Sequence, residues 1–165
     1  MNEADVVRAL GLAPHPEGGF FRETFRAEDL PFELPGRGVR SASTSIYFLL
    51  GGSDFSAFHR VRSDEVWHHY LGASLELHTL DAAEGHRIVR LGPRLEAGER
   101  PQHVVRADVY QAARLSEPGF ALCGCTVAPG FDFRDFEMPP RRGLEALFPQ
   151  ARAIIGALTR DHLPA

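Results

Sequence analysis

Residues 58–72, "FHRVRSDEVWHHYLG", hold three of the chain's eight histidines and its single tryptophan. Side chains alternate between the two faces of a strand, so Glu65, Trp67 and His69 would share one face. His59 precedes Glu65 across a Ser-Asp turn, and a hairpin at that turn would bring the two side chains opposite each other. A histidine and a glutamate that face into a barrel supply either two metal ligands or an acid–base pair. The sequence leaves both readings open.

Strand-like runs also fill most of the remaining sequence. They recur roughly every 8 to 12 residues with turn signals between them, which is typical of a sandwich or barrel. Helical spacing of apolar residues is confined to residues 3–10 and to the tail from Leu144 onward. The stretch 27–38, with two prolines and two glycines, is predicted to be a long loop. We therefore expect an all-β domain over residues 1–165 with short N- and C-terminal helices.

The composition excludes several classes of function. A net charge of −4 and a pI near 6.0 give no indication of a nucleic acid polymer or a membrane as partner. The N-terminus lacks the pattern of a signal peptide, and a cytoplasmic location is the expectation. All 18 basic residues are arginines, so lysine Schiff bases, covalently attached pyridoxal phosphate and the P-loop lysine are excluded. Cys123 and Cys125 are predicted to be small buried apolar residues.

The pattern His59-x-Val61-x3-Glu65-x6-Gly72 resembles the first sequence motif of the cupin superfamily. The motif has a second metal-binding histidine where this chain has Val61. In the segment that corresponds to the second cupin motif, Gln111 stands in place of another metal-binding histidine. Two of the four usual cupin metal ligands are therefore missing.

A wider set of segments carries a more specific resemblance. They are "HPEGGFFRETFR", "STSIYFLL", "HRVRSDEVWHHYLG", "LGPRLEAGERPQHVV" and "VAPGFDFRDFE". Together they resemble the cupin_5 family, known as domain of unknown function 985, from about Leu12 to Phe148. The resemblance implies a cupin jelly-roll β-barrel (a double-stranded β-helix), a homodimer and a pocket inside the barrel. The fold it implies is similar to that of dTDP-4-dehydrorhamnose 3,5-epimerase, a metal-free enzyme with a histidine base and a tyrosine acid.

Candidate site residues follow from these patterns. The catalytic candidates are His59 as base, Glu65 as the group that orients it, and Tyr47 or Tyr110 as acid. The candidate ligand-binding residues are Glu17, Arg22, Glu23, Trp67, His69 and Gln111. Arg22, Arg26 or Arg60 would suit a phosphate or carboxylate. No cofactor is firmly predicted, and a divalent metal held by His59 and Glu65 is the open alternative.

Two further groups of residues receive structural interpretations. The histidines predicted to have a structural role or to lie at the surface are His68, His78, His86, His103 and His162. The aromatic side chains of Phe131, Phe133 and Phe136 are predicted to lie in the core or in a dimer interface.

The predicted function is the binding of a small polar molecule inside the barrel, namely a sugar, a nucleotide or a nucleotide sugar. The most concrete form of this hypothesis is a metal-free isomerase or epimerase that acts on a sugar or nucleotide sugar. Epimerisation beside a carbonyl needs a base, an acid across the ring and donors for the enolate oxygen. A non-catalytic binding or sensor protein is one alternative, and a metal-dependent cupin enzyme is the other. The sequence does not decide whether the protein is an enzyme.

Overall fold

The computed structural model describes residues 1–28 and 31–160, in which two antiparallel β-sheets face each other. The strands are numbered in chain order. The larger sheet contains, in spatial order, β1 (Ala13–Pro14), β2 (Phe20–Arg26), β5 (Thr44–Gly51), β12 (Phe120–Ala128), β7 (Asp64–Gly72) and β10 (Gln102–Val105). The smaller sheet contains β13 (Phe136–Glu137), β6 (Phe55–Val61), β11 (Tyr110–Leu115), β8 (Leu75–Asp81) and β9 (Gly85–Leu91). This architecture confirms the all-β jelly-roll prediction.

Alternation along the strands separates the interior of the barrel from its outside. Strand β5 sends Phe48 and Leu50 inward, and β7 sends Trp67 inward against them. The other buried members of this core include Leu75, Leu77, Leu91, Val105, Ala113, Ala121 and Cys123. These side chains fill one end of the barrel, and the cavity described below lies at the other.

Helices cover the outer faces of both sheets. Helix α1 (Glu3–Leu10) begins at a capping box between Asn2 and Asp5 and ends at Gly11, which takes the left-handed conformation. It packs on the larger sheet. The C-terminal helices α2 (Arg141–Leu147) and α3 (Arg152–Ala157) cover the smaller sheet. Both terminal helical predictions are confirmed, and no helix in the described part of the chain is long and apolar enough to cross a membrane.

The predicted loop over residues 27–38 is only partly correct. A small hairpin is present there, formed by β3 (Pro31–Leu34) and β4 (Gly38–Ser41). Its two prolines do not interrupt a ladder, because Pro31 is the first residue of β3 and Pro35 lies in the turn. Residues 29–30 lie outside the described residues. So do residues 161–165, which include His162, and the single-domain prediction over 1–165 stays a prediction.

The predicted hairpin between residues 58–61 and 65–72 is wrong. Strand β6 pairs with β11 and β13, whereas β7 pairs with β12 and β10. The turn between β6 and β7 therefore crosses from one sheet to the other. In a jelly roll, strands that are adjacent in sequence often pair with distant partners, and the turn chemistry alone does not reveal this.

Candidate functional site

One end of the barrel interior opens into a cavity of about 310 Å³. This volume lies at the lower end of the range for small-molecule pockets. The walls combine inward-facing residues of both sheets with the loop segments 15–17 and 131–136. On β7 the boundary between core and cavity is visible directly, because Trp67 belongs to the core and Glu65, on the same face, lines the cavity.

Four titratable side chains are buried together in the cavity wall. Glu17 Oε2 lies 3.3 Å from His59 Nδ1 and 3.6 Å from His15 Nδ1. Glu65 lies close enough to His59 and Glu17 for their charges to shift its pKa. All four are at most 9% exposed. Buried ionisable groups without permanent counter-ions are costly, and they cluster at functional sites.

His59 and Glu65 meet across the barrel. His59 projects inward from β6 and Glu65 from β7, and the two strands belong to facing sheets. Both side chains do line the same cavity, but the hairpin from which the sequence predicted their proximity is not formed.

The hydrogen bond of His59 fixes which ring nitrogen can act as a base. His59 Nδ1 lies 2.8 Å from the carbonyl oxygen of Ala57. A carbonyl only accepts, so Nδ1 carries the proton in the neutral ring and the lone pair is on Nε2. Nε2 has no hydrogen-bond partner among the described residues, and the ring lines the cavity. The ring of Phe136 stacks on the imidazole, with centroids 5.3 Å apart. The His59 ring is thus held in one orientation in the cavity wall, with its lone pair on Nε2.

A chain of two hydrogen bonds, from Trp67 to Gln111 and from Gln111 to Glu65, supports the carboxyl of Glu65. Gln111 Nε2 donates to Glu65 Oε2 at 2.5 Å, and Trp67 Nε1 donates to Gln111 Oε1 at 2.8 Å. The Cys125 thiol lies beside the same carboxyl. Gln111 and Trp67 do not line the cavity. Their position indicates that they orient Glu65.

A glycine turn places Glu17 in the cavity wall. Gly18 has a φ of 117°, and a Cβ there would lie 2.0 Å from the carbonyl oxygen of Phe55. Only glycine fits this approach. The backbone of Glu17 then accepts from the Ala57 N–H at 2.8 Å, and its carboxyl accepts from the Ser56 hydroxyl at 2.9 Å. The turn thus fixes Glu17 beside β6.

The pKa values of these four groups shift towards one another. Burial raises the pKa of Glu65, against the influence of His59, and burial likewise raises the pKa of Glu17. Burial lowers the pKa of His59, opposed by Glu65, and lowers the pKa of His15, opposed by Glu17. Such convergence reduces the free-energy cost of moving a proton between an imidazole and a carboxyl.

The mouth of the cavity is aromatic and carries paired charges. Phe131, Phe133 and Phe136 all line the cavity, and Phe133 is 54% exposed. They belong to none of the hydrophobic core clusters, so their predicted place in the core is wrong, while their place in a dimer interface stays a prediction. The sequence could not separate the alternatives, because an apolar ring on a loop suits a core and a ligand wall equally well. Glu23 and Arg26 also lie here and form a two-point ion pair.

Several predicted site residues lie away from the cavity. Tyr47 packs against Tyr70 on the outer side of the larger sheet. Tyr110 lies beneath Arg60 and against Phe148 on the outer side of the smaller sheet. No tyrosine lines the cavity in the described part of the chain. The phenol acid of the sequence hypothesis therefore has no counterpart at this site.

Arg22 and His69 are engaged elsewhere as well. Arg22 Nη1 donates to the carbonyl of Leu10 at the end of α1, at 2.6 Å. His69 Nε2 contacts the carbonyl of Ala73 at 2.9 Å. Neither residue lines the cavity. Of the predicted site residues, those that line it are His59, Glu65, Glu17, Glu23 and Arg26.

The sequence predictions did not include His15, and they named Arg26 only as one of three arginines that would suit an anion. His15 stands two positions before Glu17 and just ahead of a Gly-Gly turn. That short spacing of an imidazole and a carboxyl beside a sharp turn was the available signal. The ring of His15 meets Phe21 edge-on with centroids 4.5 Å apart.

The donor set does not fit a cupin metal centre. Val61 lines the cavity but has no donor atom, and the amide of Gln111 is already bonded to Trp67 and Glu65. Within residues 1–28 and 31–160, no group of three or more His, Cys, Asp or Glu side chains is arranged to hold a metal ion. A catalytic zinc or iron site usually takes three protein ligands. His59 and Glu65 alone do not meet that requirement.

Comparison with known proteins agrees with the fold. A family model described as "Cupin superfamily (DUF985)" matches residues 4–139. The Saccharomyces cerevisiae protein described as "Uncharacterized protein YML079W" is 31% identical over 146 residues, which cover 79% of this chain and 71% of the yeast protein. The crystal structure of protein SO0799 from Shewanella oneidensis is 37% identical, with a TM-score of 0.89 over 98% of this chain and 99% of that one.

A more distant structural likeness supports the fold alone. Oxalate decarboxylase from Bacillus subtilis matches with a TM-score of 0.57 at 17% identity, over 92% of this chain and 40% of that chain. At this identity the match indicates a shared cupin barrel and carries no inference about substrate.

Proposed function

Because this chain belongs to the Cupin_5 family (DUF985) of the cupin superfamily, we propose that its barrel cavity binds a small molecule and moves a proton on it without a metal. The observation that carries the proposal is the buried group of two imidazoles and two carboxyls in the cavity wall. In this proposal His59 is the base and Glu65 is the acid.

The reaction class that suits this pair is isomerisation or epimerisation of a hydroxycarbonyl compound the size of a monosaccharide. His59 Nε2 removes a proton from the carbon beside the carbonyl. The protonated carboxyl of Glu65 donates its proton to the carbonyl oxygen, and an enol forms. The imidazolium of His59 then gives the proton to the former carbonyl carbon, and the ionised carboxyl of Glu65 takes the hydroxyl proton from the oxygen on the neighbouring carbon, so that the carbonyl forms there and the isomer results. The pKa of Glu65 is raised by burial, which favours the protonated form that this role needs.

The aromatic walls support the same proposal. The ring of Phe136 shields His59, and Phe21 shields His15. Exclusion of water strengthens the interaction between a carboxyl and a developing negative charge. The volume of about 310 Å³ suits a sugar-sized molecule better than a complete nucleotide sugar.

The test is proton exchange on a panel of aldoses and ketoses in D₂O, followed by NMR. We expect deuterium at the carbon beside the carbonyl of at least one compound, together with its isomer. His59→Gln should lower this rate by about 10²- to 10⁴-fold, the usual contribution of a positioned acid–base group. The matched control is His103→Gln, which changes a half-buried histidine that does not line the cavity. Equal rates in the two variants would refute the assignment of His59.

The same panel separates the rival functions. A binding or sensor protein would return its ligand without deuterium. A metal-dependent enzyme would carry close to one equivalent of a transition metal per subunit, which plasma mass spectrometry of untagged protein would measure. The homodimer and the cytoplasmic location stay predictions, and light scattering on the purified protein tests the first.

A further inference from the structure

The charges around the cavity determine which ligands it can accept. The chain has no lysine, so a permanent positive charge at the cavity must come from arginine. Among the described residues, Arg26 is the single arginine that lines the cavity. Whether the cavity can bind an anion therefore depends on whether the Arg26 guanidinium has a free N–H donor.

All five N–H donors of Arg26 are already used. Nε and Nη2 bind the two carboxyl oxygens of Glu23 at 2.9 and 2.7 Å. Nη1 donates to Ser41 Oγ at 3.5 Å and to the carbonyl of Phe131 at 3.1 Å, and Nη2 also reaches that carbonyl at 3.2 Å. A guanidinium has five N–H groups, so none is left for a phosphate or a carboxylate of a ligand.

Other arginines that would suit an anion are also engaged. Arg60 forms an ion pair with Glu137 and lies over Tyr110, and Arg134 forms an ion pair with Asp132. Neither guanidinium lines the cavity. Together with Arg22, which donates to α1, these residues do not provide the anion site that the sequence suggested.

The remaining lining residues favour positive or neutral ligands. Glu17 and Glu65 carry no positive charge in either protonation state, so neither attracts an anion. Burial lowers the pKa of both His15 and His59, so that they tend to be neutral at neutral pH. Aromatic rings attract cations through their faces, and Phe131, Phe133 and Phe136 surround the mouth.

We infer that the cavity selects an uncharged or amine-bearing ligand and rejects phosphorylated and carboxylated ones. This inference rests on the proposed function, in that it names the substrate class for the same cavity. It narrows that class to an unmodified or amino-substituted small molecule, and it removes sugar phosphates, nucleotides and nucleotide sugars from the candidates.

The experiment compares three probes of nearly the same shape: benzylamine, benzyl alcohol and benzoate. Their affinities are measured by two-dimensional NMR titration of the wild-type protein at pH 7, which also reports which amides shift. We expect benzylamine and benzyl alcohol to shift amides around His59 and Phe136, and benzoate to bind at least about tenfold more weakly. Benzoate binding as tight as that of benzylamine would overturn the inference.

A second variant tests the mechanism of rejection. Glu23→Gln removes the negative charge beside Arg26 and replaces one of its two acceptor oxygens by an amide nitrogen, which should free one N–H donor at the mouth. Benzoate affinity should then rise by about five- to tenfold, while that of benzyl alcohol stays constant. The matched control is Glu84→Gln, which breaks an ion pair of the same i,i+3 spacing with Arg87 on the exposed β8–β9 turn. An unchanged preference in Glu23→Gln would contradict the role of Arg26.

The outcomes also separate this inference from the proposed function. If benzoate binds in the cavity as well as benzylamine does, the cavity is a binding site and only the charge inference fails. If none of the three probes shifts the cavity amides, the charge inference fails, while the proposed function is decided separately by proton exchange on the aldoses and ketoses. Phe133→Ala tests whether the probes bind at the mouth of the cavity. It should lower the affinities of benzylamine and benzyl alcohol alike, and it should not unfold the protein because Phe133 is exposed.

Discussion

This protein buries carboxyls at two places, and their partners differ. In the cavity, Glu65 is bonded to the neutral amide of Gln111 and lies near His59. In the second cluster, the buried Asp135 receives four hydrogen bonds from the guanidiniums of Arg37 and Arg40, at 2.7 to 3.2 Å. Buried carboxyls in the same protein thus have chemically different surroundings.

The pKa shifts of the two carboxyls have opposite directions. Burial alone would raise the pKa of Asp135, but the hydrogen bonds from Arg40 and Arg37 outweigh it and lower the value. At Glu65 burial dominates and the pKa is raised. Asp135 is therefore fixed as an anion that connects the β3–β4 hairpin to the loop beside the cavity, whereas Glu65 can gain and lose a proton. The comparison indicates that the partner decides between a structural and a chemical role.

The largest expected effect is on the structural cluster. Asp135→Asn leaves Arg37 and Arg40 close together with no anion between them. Loss of one partner from a buried ion pair typically costs about 3–5 kcal/mol of unfolding free energy. Urea denaturation followed by circular dichroism measures the change. A loss below about 1 kcal/mol would show that the ion pairs of Asp135 do not stabilise the fold as proposed.

The second expected effect is an opposite dependence of stability on pH. The folded pKa of Asp135 is below its ordinary value of 3.8, so its contribution is complete above that pH and is lost as pH falls through the folded pKa. The folded pKa of Glu65 is above its ordinary value of 4.5, so the folded state loses stability as pH rises from 4.5 through the folded pKa.

Each shifted pKa unit corresponds to about 1.4 kcal/mol. Unfolding free energies of the wild type, Asp135→Asn and Glu65→Gln between pH 3 and 8 isolate the two contributions. The advantage of the wild type over Asp135→Asn should shrink at the acid end. Relative to Glu65→Gln, the wild type should lose stability as the pH rises. Parallel curves for all three proteins would remove the distinction between the clusters.

A smaller effect is expected when Glu65 itself is replaced. Glutamine has the same shape and can still accept the hydrogen bond from Gln111, so Glu65→Gln should change the unfolding free energy at pH 5 by less than about 1 kcal/mol. The same variant should abolish proton exchange on the substrate, because an amide is not an acid. A loss of stability as large as that of Asp135→Asn would make Glu65 structural.

The smallest effect is expected at an exposed pair. Glu84→Gln breaks the ion pair with Arg87, in which both side chains are more than half exposed. Exposed pairs contribute about 0–1 kcal/mol, and the unfolding free energy should stay within that range. This variant sets the baseline against which the three results above are read.

The sequence predicted the fold better than the site, and the reason is physical. Alternation within each run and turn residues between runs are local signals, and the barrel and its terminal helices follow from them. The pairing of β6 with β11 depends on a contact between distant segments, so the predicted hairpin with β7 was wrong. Alternation also tells which face a side chain takes, but not which end of the barrel it occupies. Trp67 and Glu65 share a face, yet only Glu65 reaches the cavity.

The chain of contacts from Trp67 through Gln111 to Glu65 gives the protein a natural optical reporter. Trp67 is the only tryptophan, so the emission excited at 295 nm comes from a single indole. Its N–H is two hydrogen bonds from the proposed acid. Protonation of Glu65, or a ligand that pulls on its carboxyl, alters the polarity around that ring. The intrinsic fluorescence of the unlabelled protein therefore reads the state of the site in real time.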